Sequence, residues 1–385
     1  MIFAALAIVV LGALWITHRW VIESFPRLRA HRRALGVALA AVVALQIATG
    51  VVRVMTRGRY ASALSTGIAV LIAAVVLTAA PLAALQMIAW ACGRVKAKGH
   101  PEPRASAGEM SRRSLATAVG GIALYGATGS MLGWGIVRGR HAFELREVPV
   151  PIRGLPRALD GYVVVQVSDL HTGDLVRERE LDEGLSLVRA ARPDLVVVTG
   201  DLVDIDPEFA RLAAHKLVSI PARDGVTAIL GNHDHYAGAA SVTRAMRAAG
   251  VDVLVNQGKV MRPRDGGGFA LLGVDDLWGR RHGGGPRLDR AIAQVREDLP
   301  RVLLSHQPQT VDDWAGQVAL QLSGHTHGGQ INPGFVPLGL LLKYVAGAYA
   351  VGGTTLYVNR GFGTAGPPAR VGAPPEVTRL VLVAS

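Results

Sequence analysis

The chain is poor in cysteine. Its 385 residues include one, Cys92, at the end of an apolar run. No intrachain disulfide can form, and so sparse a thiol content is compatible with either side of a bacterial membrane. Acidic residues are scarce in one region only. Residues 1–140 hold three (Glu23, Glu102, Glu109) against 16 Lys+Arg, a surplus of +13. The other 245 residues hold 25 basic and 26 acidic side chains, a balance of −1, so the formal net charge of +12 arises entirely in the N-terminal part. The larger part therefore lacks the basic surplus of a nucleic-acid-binding surface, and no nucleic-acid partner is expected. Neither glycine run, Gly266–Gly268 nor Gly283–Gly285, is followed by the Lys-Ser/Thr of a phosphate-cradling P-loop, so both read as loop tips.

The basic region is also the apolar one. Four stretches, about 2–17, 34–52, 62–92 and 115–137, predict a four-helix transmembrane region over 1–140. The first is short but extends through Trp20 to Ile22, and Pro81 in the third predicts a kinked or tilted helix. A cleaved signal peptide is the competing reading of 1–17, but no basic side chain precedes the apolar stretch. None of the four stretches contains an internal Asp, Glu, Lys or Arg, which argues against a transporter and for an anchor or small bundle. The first and third loops together carry 11 basic residues against 6 in the second loop and the segment after the fourth span. Positive-inside bias then places residues 141–385 outside the cytoplasm. Arg112-Arg113, before the fourth span, reads as a cytoplasmic anchor, although it is similar to a twin-arginine export signal.

From Tyr162 the pattern changes to alternating strand and helix. Five runs, Tyr162–Val167, Asp194–Thr199, Val226–Leu230, Val302–Leu304 and Val318–Leu322, read as buried strands, with helices over Glu178–Ala191 and Pro207–Val218. This predicts a layered α/β domain over 141–385. Each strand ends in residues able to bind a metal: Asp169-Leu170-His171, Gly200-Asp201, Gly231-Asn232-His233-Asp234, Ser305-His306 and Gly324-His325-Thr326-His327. One such residue is ordinarily a turn or cap. Five strand ends all delivering them point to one site at the C-terminal edge of a sheet.

That order of motifs resembles the calcineurin-like metallophosphoesterase superfamily over about 160–330. Val358–Gly363 and Pro374-Pro375-Glu376 look like its bacterial membrane-associated branch of YkuE- and YaeI-type proteins. The resemblance implies a sandwich of two mixed sheets flanked by helices and two divalent metal ions, Mn, Fe or Zn by the mixed His/Asp/Asn donors. Asp169, His171 and His327 would bind the first ion, Asp201 would bridge, and Asn232, His306 and His325 would complete the second. A metal-bridged hydroxide would attack phosphorus, with His233 beside the phosphate and Asp234 orienting it. Glycines 200, 231, 324, 328 and 329 adjoin these residues, where the backbone must approach closely.

Other features carry less. Arg360 reads equally as a candidate for the substrate phosphate and as a surface arginine. Asp204 and Asp206 read as solvated loop acids, with support of the metal-site residues as the alternative. His235 stands where the cytosolic lipid A pyrophosphatase branch has arginine, a departure that argues against the same substrate. Phe335–Tyr344 reads as a core element, or else as an apolar lip touching membrane or an acyl chain. The expected activity is hydrolysis of a phosphomonoester or pyrophosphate, lipid-linked because the anchor keeps the site at a bacterial cell membrane. The alternatives are a phosphodiesterase acting on a soluble or cyclic nucleotide, and a metal-binding sensor without activity.

Overall fold

The computed structural model describes residues 2–56, 62–97, 110–261, 268–334, 338–340 and 342–385. The chain divides into two compact units, Met1–Trp134 and Gly135–Ser385. In the first, helices α1 (Ile2–Ser24), α2 (Arg32–Met55), α3 (Ser62–Ala97) and α4 (Arg112–Val137) are all long and apolar enough to cross a membrane. The first expected span thus lengthens by a full turn beyond Trp20, and α3 runs through Pro81 as one helix. Small residues let the helices approach: a Cβ on Gly121 would overlap the Trp20 indole, whose Nε1–H donates to the Thr117 carbonyl oxygen (2.8 Å). Arg57, Arg59, Lys98 and Arg104, which contribute to the loop-charge argument, lie outside the described residues, as do Gly266 and Gly267.

The second unit contains strands β1 (Glu144–Ile152), β2 (Tyr162–Val167), β3 (Leu195–Thr199), β4 (Val226–Ile229), β5 (Asp252–Val253), β6 (Gln257–Met261), β7 (Phe269–Gly273), β8 (Arg301–Leu304), β9 (Leu320–Ser323), β10 (Gly347–Val351), β11 (Thr354–Val358) and β12 (Glu376–Ala384). They form two six-stranded mixed sheets, in the orders β1-β12-β2-β3-β4-β5 and β10-β11-β9-β8-β7-β6. Strands β2, β3 and β4 run parallel to one another, as do β7, β8, β9 and β11. The five strands expected from sequence are all present. Of the strands that complete the sheets, β7 and β12 carry apolar runs, at 269–272 and 380–384, that the sequence expectation does not include, while the others are short or amphipathic.

Period-two side-chain alternation builds the layers. Tyr162, Val164, Leu195 and Val197 face Phe269, Leu271, Val302 and Leu322 of the other sheet, forming the central core. Val163, Val165, Val196 and Val198 turn to the opposite face, where α5 (Glu178–Ala190), α6 (Ala210–Val218) and the pair α7 (Asn232–Ala237) and α8 (Ala239–Ala248) cover them through Leu181, Leu185, Leu217 and Met246. At the site end of the core the layer becomes polar. The buried Gln166 amide donates to Thr199 Oγ1 and to the Ser323 carbonyl oxygen, both at 2.9 Å, tying the ends of β2, β3 and β9 together. Within 335–344, residues 338–340 form one 3-10 turn and Tyr344 is buried against Val311, Leu356 and Val358, while residues 335–337 and 341 lie outside the described residues.

Candidate metal centre

The loops leaving β2, β3, β4, β8 and β9 meet at one edge. Asp169, His171, Asp201, His325 and His327 all have positive φ, between 48° and 72°. A non-glycine residue in this region costs about 1–3 kcal/mol, so the surrounding hydrogen bonds must impose it. Asp169 N–H donates to the Gly200 carbonyl oxygen and His171 N–H to that of Asp201, both at 3.0 Å. His325 N–H donates to the Asp169 carboxylate (3.0 Å), and His233 N–H to Asp201 Oδ1 (2.8 Å). Each carboxylate is thus aimed by the backbone of another loop. The approach is close enough that a Cβ on Gly231 would overlap the Asp201 carboxylate, and one on Gly324 that of Asp169.

Two groups of donor atoms result. In one, His327 Nε2 lies 3.1 Å from His171 Nε2 and 3.3 Å from Asp169 Oδ1. In the other, His306 Nε2 lies 3.2 Å from His325 Nδ1, 3.2 Å from Asn232 Oδ1 and 3.3 Å from Asp201 Oδ2. That same Asp201 Oδ2 is 3.5 Å from His171 Nε2, so one carboxylate faces both groups. His306 Nδ1 lies 2.8 Å from the Thr199 carbonyl oxygen; donating there leaves Nε2 with its lone pair toward the cluster.

These residues suit a divalent cation. Donors bound at about 2.1 Å around a single ion stand roughly 3.0–3.4 Å apart, the spacing seen between the nitrogens here. Without an ion the electrostatics divide the rings into neutral and protonated ones. Burial, then the charge of His233, pulls His171 down to about 3, and burial with His306 pulls His325 down to about 4, so both rings are neutral. Burial raises Asp169 and Asp201, but the facing imidazoliums outweigh it and hold both below the usual carboxylate range. His306, despite burial, is raised by Asp201, so without an ion its Nε2 carries a proton that a bound cation would displace, freeing the lone pair.

The seven expected metal residues are therefore brought together, and His233 stands beside them, its ring edge-on to that of His171 with centroids 4.5 Å apart. Three other expectations need correction. Asp234 does not orient the His233 ring: its carboxylate is fully buried and accepts the N–H groups of Gly231 (2.8 Å), Leu202 (3.0 Å) and Val203 (3.1 Å), clamping the Asp201 loop to that of Asn232. Burial and the nearby Asp201 charge push it up to about 7 against those three donors. The partner of His233 is Asp204, which is buried rather than solvated; Asp206, also buried, accepts the Glu208 N–H (3.0 Å) as a cap. Arg360 does not extend toward a phosphate. Its Nε donates to Glu376 and its Nη2 to Glu144 (2.7 Å), and because Glu376 is fully buried its carboxylate needs that cationic partner.

Sequence reasoning also missed Arg370. Fully buried, it donates from Nη1 to the carbonyl oxygens of Arg360 (2.7 Å) and Ala373 (3.1 Å), from Nε to that of Gly363 (3.0 Å), and from Nη2 toward His327 Nδ1 (3.2 Å). Burial pulls it down to about 9. Its only linear signal is an arginine in a Pro/Ala/Gly-rich run, which ordinarily reads as a solvated loop.

A sandwich of mixed sheets whose strand ends converge His, Asp and Asn side chains on one buried cluster defines a metal-dependent hydrolase of the phosphoesterase type. Residues 162–329 match the family model of the calcineurin-like phosphoesterases. The chain is 33% identical over 288 residues to the metallophosphoesterase YkuE of Bacillus subtilis, covering 71% of this chain and 98% of that one. It is 34% identical over 259 residues to a transmembrane protein with a metallophosphoesterase domain from Danio rerio, covering 65% of this chain but only 59% of that longer protein. Among solved structures it is similar to the calcineurin-like phosphoesterase YfkN of Bacillus subtilis, at 14% identity and a TM-score of 0.36, over 52% of this chain and 81% of that one. The chain belongs to the calcineurin-like metallophosphoesterase family.

Proposed function

We propose that this chain is a membrane-anchored phosphohydrolase of the bacterial cell membrane, cleaving a phosphomonoester or pyrophosphate in a lipid-linked substrate. Residues 1–140 form the anchor, and 141–385 form a catalytic domain outside the cytoplasm. The observation that carries this reading is the placement of Asp201 Oδ2, 3.5 Å from His171 Nε2 and 3.3 Å from His306 Nε2.

Asp169, His171 and His327 would hold one ion and Asn232, His306 and His325 a second, with Asp201 shared. Imidazole and carboxylate donors suit Mn, Fe or Zn. Such ions, when bound, polarise a phosphate oxygen and acidify water. The protein's own contribution is to aim and neutralise. Neutral His171 and His325 add no charge against an anionic substrate. His233, its Nδ1 engaged by Asp204, offers Nε2 to the oxygen that departs from phosphorus.

Asp201→Asn tests the reading with two readouts, metal content by elemental analysis and hydrolysis of a phosphoester panel. Both should fall, activity by about 100-fold or more. Retained activity, or a fully metallated wild type that hydrolyses no member of the panel, would overturn it; the latter result points to a non-catalytic sensor. Faster turnover of a soluble aryl phosphate or cyclic nucleotide than of every lipid-linked compound would remove the lipid part. C-terminal reporter fusions, one active only outside and one only inside the cytoplasm, test the sidedness.

A further inference from the structure

The chain leaves the motif after β9 through four consecutive residues of positive φ: His327, Gly328, Gly329 and Gln330, at 53°, 60°, 84° and 48°. The two glycines adopt such angles at little cost. Gly329 N–H donates to the Thr326 carbonyl oxygen (2.8 Å) and Gln330 N–H to that of His327 (2.9 Å), which closes the turn. Gln330 is the exception. Its ψ of −54° lies outside the left-handed helical well, and Ile331 N–H donates across it to the Gly329 carbonyl oxygen (2.5 Å). That is a three-residue γ-turn of the rare, strained hand, which a residue with a side chain keeps only where its surroundings impose it.

The side chain of Gln330 supplies that constraint. Its Nε2 donates to the carbonyl oxygens of Ala365 (2.9 Å) and Pro367 (2.8 Å), and its Oε1 accepts the Ala365 N–H (3.0 Å). An amide on this stem offers two donors and an acceptor, a combination that neither a carboxylate nor an ammonium has. The main chain of the same residue grips the far end of the segment. Val371 N–H donates to the Gln330 carbonyl oxygen (2.9 Å), and Asn332 N–H to that of Val371 (2.7 Å). Residues 365–370 belong to no helix or strand, so these bonds set their course. Between the two held ends stands Arg370, whose Nη2 lies 3.2 Å from His327 Nδ1. The backbone of His327 and the group beside its ring thus both lead back to Gln330.

We propose that Gln330 is a positioning residue for the metal centre: by stapling the 365–371 segment to its own strained turn, it aims the His327 imidazole at the first ion. The inference rests on the assignment of His327 as a ligand of that ion. Glycine at this position would relax the turn but leave the Ala365 and Pro367 carbonyl oxygens without their donor. Glutamate would keep the shape and the acceptor for the Ala365 N–H, yet turn a carboxylate oxygen toward those two carbonyl oxygens. A role in the staple therefore predicts that both substitutions weaken the centre, whereas a turn that merely tolerates glutamine predicts that glycine improves it.

The test uses the full chain in detergent with Mn²⁺ as the probe, read as bound metal after equilibrium dialysis and as the thermal midpoint with chelator and with Mn²⁺. Gln330→Glu and Gln330→Gly should each raise the Mn²⁺ concentration at half occupancy by about ten-fold. The rise in midpoint that Mn²⁺ confers should shrink with it, because that increment reports affinity for the folded chain. A residue needed for folding alone would lower the midpoint equally with and without Mn²⁺ and leave half occupancy where it is; that result overturns the proposal, as does tighter binding in Gln330→Gly. His327→Ala separates the proposal from the reading beneath it. Wild-type Mn²⁺ occupancy in His327→Ala overturns the ligand assignment, and this inference with it. Lost occupancy in His327→Ala, with wild-type occupancy in both Gln330 variants, overturns this inference alone.

Discussion

Asp204 holds the Nδ1 side of the His233 ring at two points, its main-chain oxygen at 2.9 Å and its carboxylate Oδ1 at 3.2 Å. The imidazole is thereby turned with Nε2 away from Asp204. This arrangement separates a residue that meets the substrate from one that positions it. His233→Ala should lower kcat by about 10²–10⁴-fold with metal content unchanged. Asp204→Asn should cost about ten-fold and retain the main-chain contact. Loss of bound metal in His233→Ala would instead make His233 a ligand.

Asp234 is the sole carboxylate contacting the amides of Gly231, Leu202 and Val203 among the described residues. Removing it leaves buried N–H groups unpaired, at about 1–3 kcal/mol each. Asp234→Ala should therefore lower the midpoint of denaturant unfolding and reduce metal occupancy. Wild-type stability with diminished activity would show a direct chemical role instead.

The His235–Asp275 pair predicts a pH dependence of stability. Burial lowers His235, but the Asp275 hydrogen bond and the charges of Asp275, Asp276 and Asp234 outweigh it and raise the ring. Burial raises Asp275, but His235 and the Gly285 amide outweigh it and hold the carboxyl low. The histidine's contribution is complete below its unfolded value, about 6.5, and is lost as pH rises through its raised folded value. The aspartate's is complete above about 3.9 and lost as pH falls through its lowered one. The pair should be worth most near pH 4–6.5 and decline above it. The difference in unfolding midpoint between wild type and His235→Asn should shrink from pH 6 to pH 9; a constant difference would refute the linkage.

Arg370 joins three carbonyl groups in the C-terminal loops and reaches His327. Arg370→Met keeps much of the volume but strands three carbonyl oxygens, so a loss of about 3 kcal/mol or more is expected, together with weaker metal retention under chelator. Arg370→Lys should recover less than half of the lost stability, because an ammonium cannot reproduce the planar fork of donors. Unchanged metal retention in a destabilised Arg370→Met would confine Arg370 to folding.

Much of the centre was legible because its donors follow buried strands whose apolar runs are unmistakable: Val163–Val167 leads to Asp169, Val196–Val198 to Asp201, and Leu320–Leu322 to His325. The supporting residues were not legible. Asp204 and Asp234 are both acids in loops. Whether such an acid meets solvent, an imidazole or three amides depends on loops 30 residues away, as Asp234 does on Leu202 and Val203. Arg360 and Arg370 illustrate the same limit. One is spent on Glu144, 216 residues distant, and the other on carbonyl oxygens that a left-handed turn at Gly361 helps to aim inward.

Read alone, the sequence establishes an apolar, basic N-terminal region and an α/β unit whose strand ends carry His, Asp and Asn. Both follow from local composition and periodicity, which each segment carries independently. Tertiary structure alone decided that Asp201 faces two donor groups, that Asp204 serves His233, and that Gln330 holds the loop carrying Arg370. Those relationships depend on the direction of side chains brought together from distant loops, and direction there is set by hydrogen bonds that exist only once both sheets have packed.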